Sequence, residues 1–159
     1  MVSIVSRIVE VCVFRFAGNS PEYLLLKRSP GDMIHPGIWQ IVTGMIGEGE
    51  TAVRAARREA REETGVEPDR FWVVPFTGSF YDPRTDEMHL IAFFAAQIGA
   101  DAAVRFSSEH AAYEWLGLAE ARRRLVWPGQ REGLDIVDRC IAGGEEAARL
   151  SLLPPDAVS

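Results

Sequence analysis

"GMIGEGETAVRAARREAREETGV", residues 44–66, is a glycine-rich loop running into a helix whose two ends are both specified by sequence. Thr51 is placed to cap the helix with its hydroxyl, and Gly65 stands where a left-handed residue ends it, with Val66 available for the closing apolar contact. At 100° per residue, with Ala52 at zero, Glu59, Glu62 and Glu63 fall at about 340°, 280° and 20°, a face shared with Ala52 and Ala55. Val53, Ala56 and Ala60 form the adjoining apolar stripe, and Arg54, Arg57, Arg58 and Arg61 cover the remainder.

That arrangement of charge is unfavourable for a helix alone. Glu59 opposes Glu63 at i,i+4 and Glu62 at i,i+3, each at a cost of about 0.2–0.5 kcal/mol, and the Arg58 to Glu62 pair runs in the weaker order. A merely solvated face would interleave its charges better. A divalent cation resolves the conflict, because carboxylates on one helical face can share it and attraction to the metal replaces mutual repulsion. The small Ala52 and Ala55 would let the preceding loop lie close enough for a backbone carbonyl to join the metal shell; helix propensity accounts for them equally well.

Outward from this stretch, alternation and short apolar runs predict strands near Arg7–Phe16, Tyr23–Lys27, Trp39–Thr43, Phe71–Phe80, Met88–Ile98 and Ala112–Leu116. Helical patterns cover about Thr51–Thr64, Leu118–Arg124 and Gly129–Ala142. "AGNSPE" reads as a turn, "SPGDMIHPG" as a longer loop, and "YDPRTDE" as a polar excursion long enough to overhang a site. Strands outnumber helices, and hairpin-like connections flank the central helix. The expected fold class is therefore α/β, an α/β/α sandwich around a mixed sheet. One domain is expected over residues 1–150 with a short C-terminal tail over 151–159, of which "LPPDAVS" is expected to fray.

The 159 residues carry a formal net charge of −6, which leaves no broad basic footprint for a nucleic acid. "SIVSRIVEVCVFRF" is interrupted by Arg7, Glu10 and Arg15, and no run approaches the ~18 apolar residues of a membrane span, so no membrane partner and a cytoplasmic location are expected. Cys12 and Cys140 lack metal-ligand spacing and read as small buried hydrophobes.

Gly44, five residues, Glu50, seven residues, then Arg58-Glu59-Ala60-Arg61-Glu62-Glu63 and Thr64-Gly65-Val66 resembles the Nudix box over twenty-three positions. Ala60 departs from it, standing where the family usually has a larger aliphatic residue. The resemblance implies a Nudix-type sandwich that hydrolyses a diphosphate linkage with Mg²⁺ or Mn²⁺. It makes Glu59 and Glu63 principal metal ligands, Glu62 a ligand or the base, and Arg58 the residue that orients the carboxylates; the Glu59 and Glu62 roles are interchangeable. Gly44 would contribute its carbonyl, and Glu50 would tie the loop to the helix. "SSEHAAYEWLGLAEA" resembles a segment shared by dihydroneopterin triphosphate diphosphatases and asymmetric diadenosine tetraphosphate hydrolases, which makes Glu109 a further metal ligand. His110 is expected to order that loop by hydrogen bonding.

"WQIVTG" resembles the corresponding run of the dihydroneopterin triphosphate enzymes, and Arg28 in "LLLKR" matches their phosphate-side arginine. The expected substrate is a nucleoside or pterin triphosphate, cleaved to a monophosphate and pyrophosphate by a monomer or homodimer. The alternatives are diadenosine tetraphosphate, then ADP-ribose on the strength of Pro83, and a non-hydrolytic nucleotide-binding module. Lys27 and Thr43 are candidate substrate contacts. Trp39, Phe80, Tyr81 and Trp127 are candidate aromatic platforms, with Trp39 expected in the core.

A multi-carboxylate metal site stabilises the folded state by mass action. The melting temperature should rise as Mg²⁺ or Mn²⁺ is titrated to millimolar concentration; a flat response in calorimetry contradicts the reading of the acidic face.

Overall fold

A computed structural model describes residues 1–155. Its centre is one sheet of eight strands: β1 (Ser3–Ala17), β2 (Ser20–Arg28), β3 (Trp39–Gln40), β4 (Val42–Met45), β5 (Arg70–Asp82), β6 (Glu87–Gln97), β7 (His110–Leu116) and β8 (Leu152–Leu153). The main path runs β3-β2-β1-β6-β5-β8, with β4 beside β1 and β7 beside β2. β1 and β6 pair in parallel and every other pairing is antiparallel, which makes the sheet mixed as expected.

Alternation along β1 builds two cores, one on each face. Val9, Val11 and Val13 join Leu24, Leu26, Phe71 and Phe94 under α1 (Ala52–Thr64), whose Ala55, Ala56 and Ala60 are fully packed. Cys12 and Phe14 face the other way, among Tyr23, Leu25, Trp72 and Phe93. That second core is covered by α2 (Leu118–Arg124) and α3 (Pro128–Ile136), and α3 continues as a π-helical turn over Val137–Ala142. The α/β/α layering follows from this two-sided burial. The alanines of α1 are what permit its close approach to the sheet, so small residues at 55, 56 and 60 serve packing.

Both ends of α1 form as the sequence implies. Thr51 Oγ1 accepts from the Arg54 amide at 3.3 Å, and Gly65 adopts φ 71° while its N–H donates to Arg61 O. Cys12 and Cys140 are free and buried. Strand ends extend beyond their expected limits, and Trp39–Thr43 divides into β3, which pairs with β2, and β4, which pairs with β1. "YDPRTDE" closes as a hairpin between β5 and β6, with Asp82 accepting from the Arg84 amide at 2.9 Å.

The expected fraying of the tail is corrected at Leu153 and Pro154. A short helix, α4 (Glu146–Leu150), delivers β8 onto β5, where Leu152 and Leu153 pair with Trp72 and Phe71. Pro154 O accepts from Arg57, whose guanidinium lies 4.9 Å from the Phe71 ring centroid. Two residues gave no periodic signal; what holds them is an edge of the sheet left open by β5. The remainder of the expected tail, residues 156–159, lies outside the described residues. Among the described residues no helix is long and apolar enough to cross a membrane.

Gly133 sets the spacing of α3 on the sheet, since a Cβ there would stand 2.3 Å from the Phe93 ring. Gly133→Ala should destabilise the fold by about 1–3 kcal/mol through overpacking. Urea denaturation checks this, and an unchanged midpoint contradicts the close α3 contact.

Candidate metal and phosphate site

Four segments bring the candidate residues together. The C-terminal end of β4 supplies Gly44, α1 supplies Glu59, Glu62 and Glu63, the end of β2 supplies Arg28, and the start of β7 supplies His110 with Glu109 before it. Arg28 stands opposite His110 in the β2–β7 register, and the Ser29 amide donates to Glu109 O at 3.0 Å.

Gly44 has no room for a side chain. A Cβ there would lie 2.0 Å from Glu59 Cδ, so the glycine is what admits the carboxylate against the β4 backbone. Arg58 gathers the acidic groups: its guanidinium donates to Glu50 at 2.9 Å, to Glu59 at 2.6 Å, to Glu62 at 3.3 Å and to Met45 O at 2.9 Å. Glu50 also accepts from the Gly47 amide at 2.8 Å, clamping the loop to the helix, and these donors hold its carboxyl down to about 2. The carboxylates in turn hold Arg58 above the usual arginine range. One arginine therefore fixes the loop and orients two of the three helix carboxylates.

Glu63 has no such partner. Its side chain is 5% exposed, and Oε2 makes no hydrogen bond among the described residues. His110 Nε2, equally unpartnered, stands 3.7 Å away, beyond hydrogen-bond reach. Burial first, then the charges of Glu59 and Glu109, push the Glu63 carboxyl up to about 9, with Arg28 opposing. Burial likewise raises Glu59, against the pull of Arg58, and lowers His110 below its ordinary value. Burial thus disfavours the charged form of both Glu63 and His110. His110 Nδ1 lies 3.5 Å from Ser107 Oγ, a contact that orders its own loop.

Among the described residues no three His, Cys, Asp or Glu side chains converge into a ready-made cage. The donor set nonetheless fits a hard divalent cation: carboxylate oxygens from Glu59, Glu63 and Glu109, mutually coupled, with one buried oxygen that no protein donor satisfies. Glu62, 55% exposed, meets solvent at the edge of this group.

Of the candidate substrate contacts, Arg28 reaches the cluster and forms a salt bridge with Asp32 in the following loop. Lys27, one residue earlier, lies on the opposite face of its strand, with Nζ 5.8 Å from the Trp39 ring. Thr43 is half-buried and its hydroxyl donates to Ile41 O at 3.2 Å. Tyr81 is 46% exposed and bound to Asp86 within its own hairpin. Trp127 is 42% exposed at the start of α3, its ring 5.1 Å from that of His35. Trp39 is half-buried against the α2–α3 core. On that same face, sequence reasoning passed over Glu10 and Gln130. The signal for Glu10 was a carboxylate in phase with Cys12 and Phe14; Gln130 had none, because the polar start of α3 reads as solvated.

The NUDIX domain model matches residues 6–135. The chain belongs to the Nudix family. Its reaction class is accordingly hydrolysis of pyrophosphate bonds, by a domain whose box carboxylates are all present. An octanoyltransferase of Myxococcus xanthus is 35% identical over 130 residues, 79% of this chain; the chain spans only 35% of that protein's length. The mouse asymmetrical bis(5'-nucleosyl)-tetraphosphatase is 37% identical over 102 residues, 63% of this chain and 67% of that protein. Among solved structures, the Escherichia coli dihydroneopterin triphosphate pyrophosphohydrolase superposes with a TM-score of 0.67 at 24% identity, over 82% of this chain and 95% of that one, a likeness of fold.

A carboxyl whose value in the fold, about 9, lies above its ordinary 4.5 favours the folded state when protonated. Without metal, stability should therefore fall as pH rises between those values. Glu63→Gln removes the titration, so in EDTA at pH 8 it should melt above the wild type while losing the metal-dependent rise. A lower melting temperature in EDTA contradicts the burial argument.

Proposed function

We propose that this Nudix domain hydrolyses a nucleoside or pterin triphosphate, of the dihydroneopterin triphosphate or (d)NTP type, to the monophosphate and pyrophosphate, with Mg²⁺ or Mn²⁺ as cofactor. The observation that carries the reading is the unpartnered, buried Glu63 carboxyl beside Glu59 and Glu109, with Arg28 within electrostatic reach of the same group. Four carboxylates could not hold polyphosphate without cationic charge between them, and Arg28 supplies one positive group on the side the phosphates would occupy.

Glu59, Glu63 and Glu109, with the Gly44 carbonyl, are the residues that would hold the cation, which would supply neutralisation of phosphate charge and activation of water. Glu62, the exposed member of the group, takes the proton from the attacking water, and Arg58 holds Glu59 and Glu62 in register while it does so. Arg28 exchanges Asp32 for a phosphate oxygen and steadies the leaving pyrophosphate. Thr43, on the strand leading into Gly44, and Trp127, at the start of α3, flank the nucleoside or pterin end. The water oxygen adds to phosphorus, the phosphoanhydride bond breaks, and its electron pair leaves on the departing phosphate. The domain acts in the cytoplasm, as a monomer or homodimer, on small molecules.

The mouse relative favours a second reading, asymmetrical cleavage of diadenosine tetraphosphate. Products separate the two: pyrophosphate from a triphosphate supports the first, whereas ATP plus AMP from the dinucleotide with no triphosphate turnover supports the second. In either case Glu62→Gln and Glu63→Gln should each lower kcat by at least about 100-fold with the fold retained; undiminished activity at saturating Mg²⁺ contradicts the mechanism.

A further inference from the structure

The start of β1 and the β5–β6 hairpin extend the sheet as a three-stranded arm. Ser3, Ile4 and Val5 register on Glu87, Met88 and His89, which register in turn on Asp82, Tyr81 and Phe80. Both outer edges of this arm are open among the described residues. β5 meets β8 only at Phe71 and Trp72, and β1 meets β4 only from Arg7 onward, where Arg7 O accepts from the Ile46 amide at 2.8 Å and the register then runs Ile8–Val11. An open edge offers its amides and carbonyls to any second strand, and proteins blunt such edges with proline, bulges or charge.

The two edges are treated differently. β5 carries Pro75, which has no amide to donate, Gly78, and a register shift between Val73 and Thr77. The shift in β1 falls only after Val5, and the residues before it, "MVSIV", contain no charge, proline or glycine. The Ser3 amide donates inward to Asp86 O at 3.4 Å, so strand alternation turns the amides and carbonyls of Val2 and Ile4 to the open side. Ile4 is 72% exposed and Val2, in phase with it, 44%. Tyr81 and Leu90 continue the same face as exposed apolar surface, since Tyr81 and Ile4 both register on Met88 and Leu90 follows two residues later.

We propose that the open edge of β1 is a dimerisation edge, occupied by the same strand of a second copy of this chain, antiparallel and centred on Ser3. That register sets Val2 against Ile4 on the apolar face and Ser3 against itself on the other, so each side chain meets one of its own kind. Each Ile4 exchanges amide and carbonyl hydrogen bonds with Val2 of the second copy, which uses the groups turned outward and no others. Symmetry favours the same choice. β1 laid on β5 of the next copy would propagate without closing, and Pro75 and Gly78 obstruct it, whereas β1 on itself closes after two copies. The added strand runs up to Ile46, the first residue of the loop that Glu50 and Arg58 hold, so the interface borders the candidate metal loop. A pairing this short gives a reversible dimer rather than a permanent one.

Sedimentation velocity of the full chain should show a concentration-dependent dimer by about 0.1 mM. Ile4→Pro removes an outward amide that one copy does not use, and Ile4→Lys brings a charge to the apolar face; each should weaken the dimer at least about tenfold while the dilute protein melts as before. Residues facing each other across an antiparallel two-fold stand about 4.5–5.5 Å apart, within disulfide range. Under oxidation Ser3→Cys should therefore cross-link to itself, and Ile4→Cys, opposite Val2, should not; the native Cys12 and Cys140 are buried and do not compete. A monomer throughout the concentration range, a dimer that both Ile4 variants leave intact, or self-cross-linking of Ile4→Cys as fast as Ser3→Cys overturns the assignment. Should Ile4→Pro fail to fold, Ile4→Lys and the cysteine pair decide. None of these measurements reads turnover, so they stand apart from the choice of substrate.

Discussion

The structure depends on a carboxylate placed where no protein group can satisfy it. Glu63 is the innermost of the helix glutamates, buried beside His110, with one oxygen that no hydrogen bond satisfies among the described residues and within electrostatic reach of Glu59 and Glu109. In isolation this is an expensive arrangement: burial penalises the charge and the neighbours repel it. Everything around it accepts that cost. Gly44 yields its side chain so that Glu59 fits against the strand, Arg58 and Glu50 brace the loop, and the alanines of α1 hold the helix close to the sheet. The bracing arginine serves Glu59 and Glu62 but gives Glu63 no donor.

The two faces of the sheet are built differently. The α1 face carries the charged group of Arg58, Glu59, Glu62 and Glu63; the α3 face carries aromatic packing and the buried Glu10–Gln130 hydrogen bond. β4 joins them, since Gly44 faces α1 while Thr43 stands across from Glu10.

Much of this was legible in the sequence. The caps at Thr51 and Gly65, the acidic face, the close-packed alanines and the two-sided strands are local patterns, and local patterns survive into the fold. Features made by pairing between distant segments were not: β8 is two residues without periodicity, recruited by the open edge of β5, and the direction of Lys27 away from the cluster follows from its strand phase relative to Arg28. The Glu10–Gln130 contact spans 120 positions, and neither residue signals the other. The glycine requirement at 44 was visible only as part of a motif; its reason, the Glu59 carboxyl occupying the space of a Cβ, is a three-dimensional fact.

The most direct test of the central claim is a Mn²⁺ titration followed by electron paramagnetic resonance on the wild type and on Gly44→Ala. This substitution changes no charge, but its methyl group must displace the Glu59 carboxyl. The account predicts bound Mn²⁺ in the wild type and at least about tenfold weaker binding in the folded variant. Equal Mn²⁺ affinity in the two proteins would contradict it.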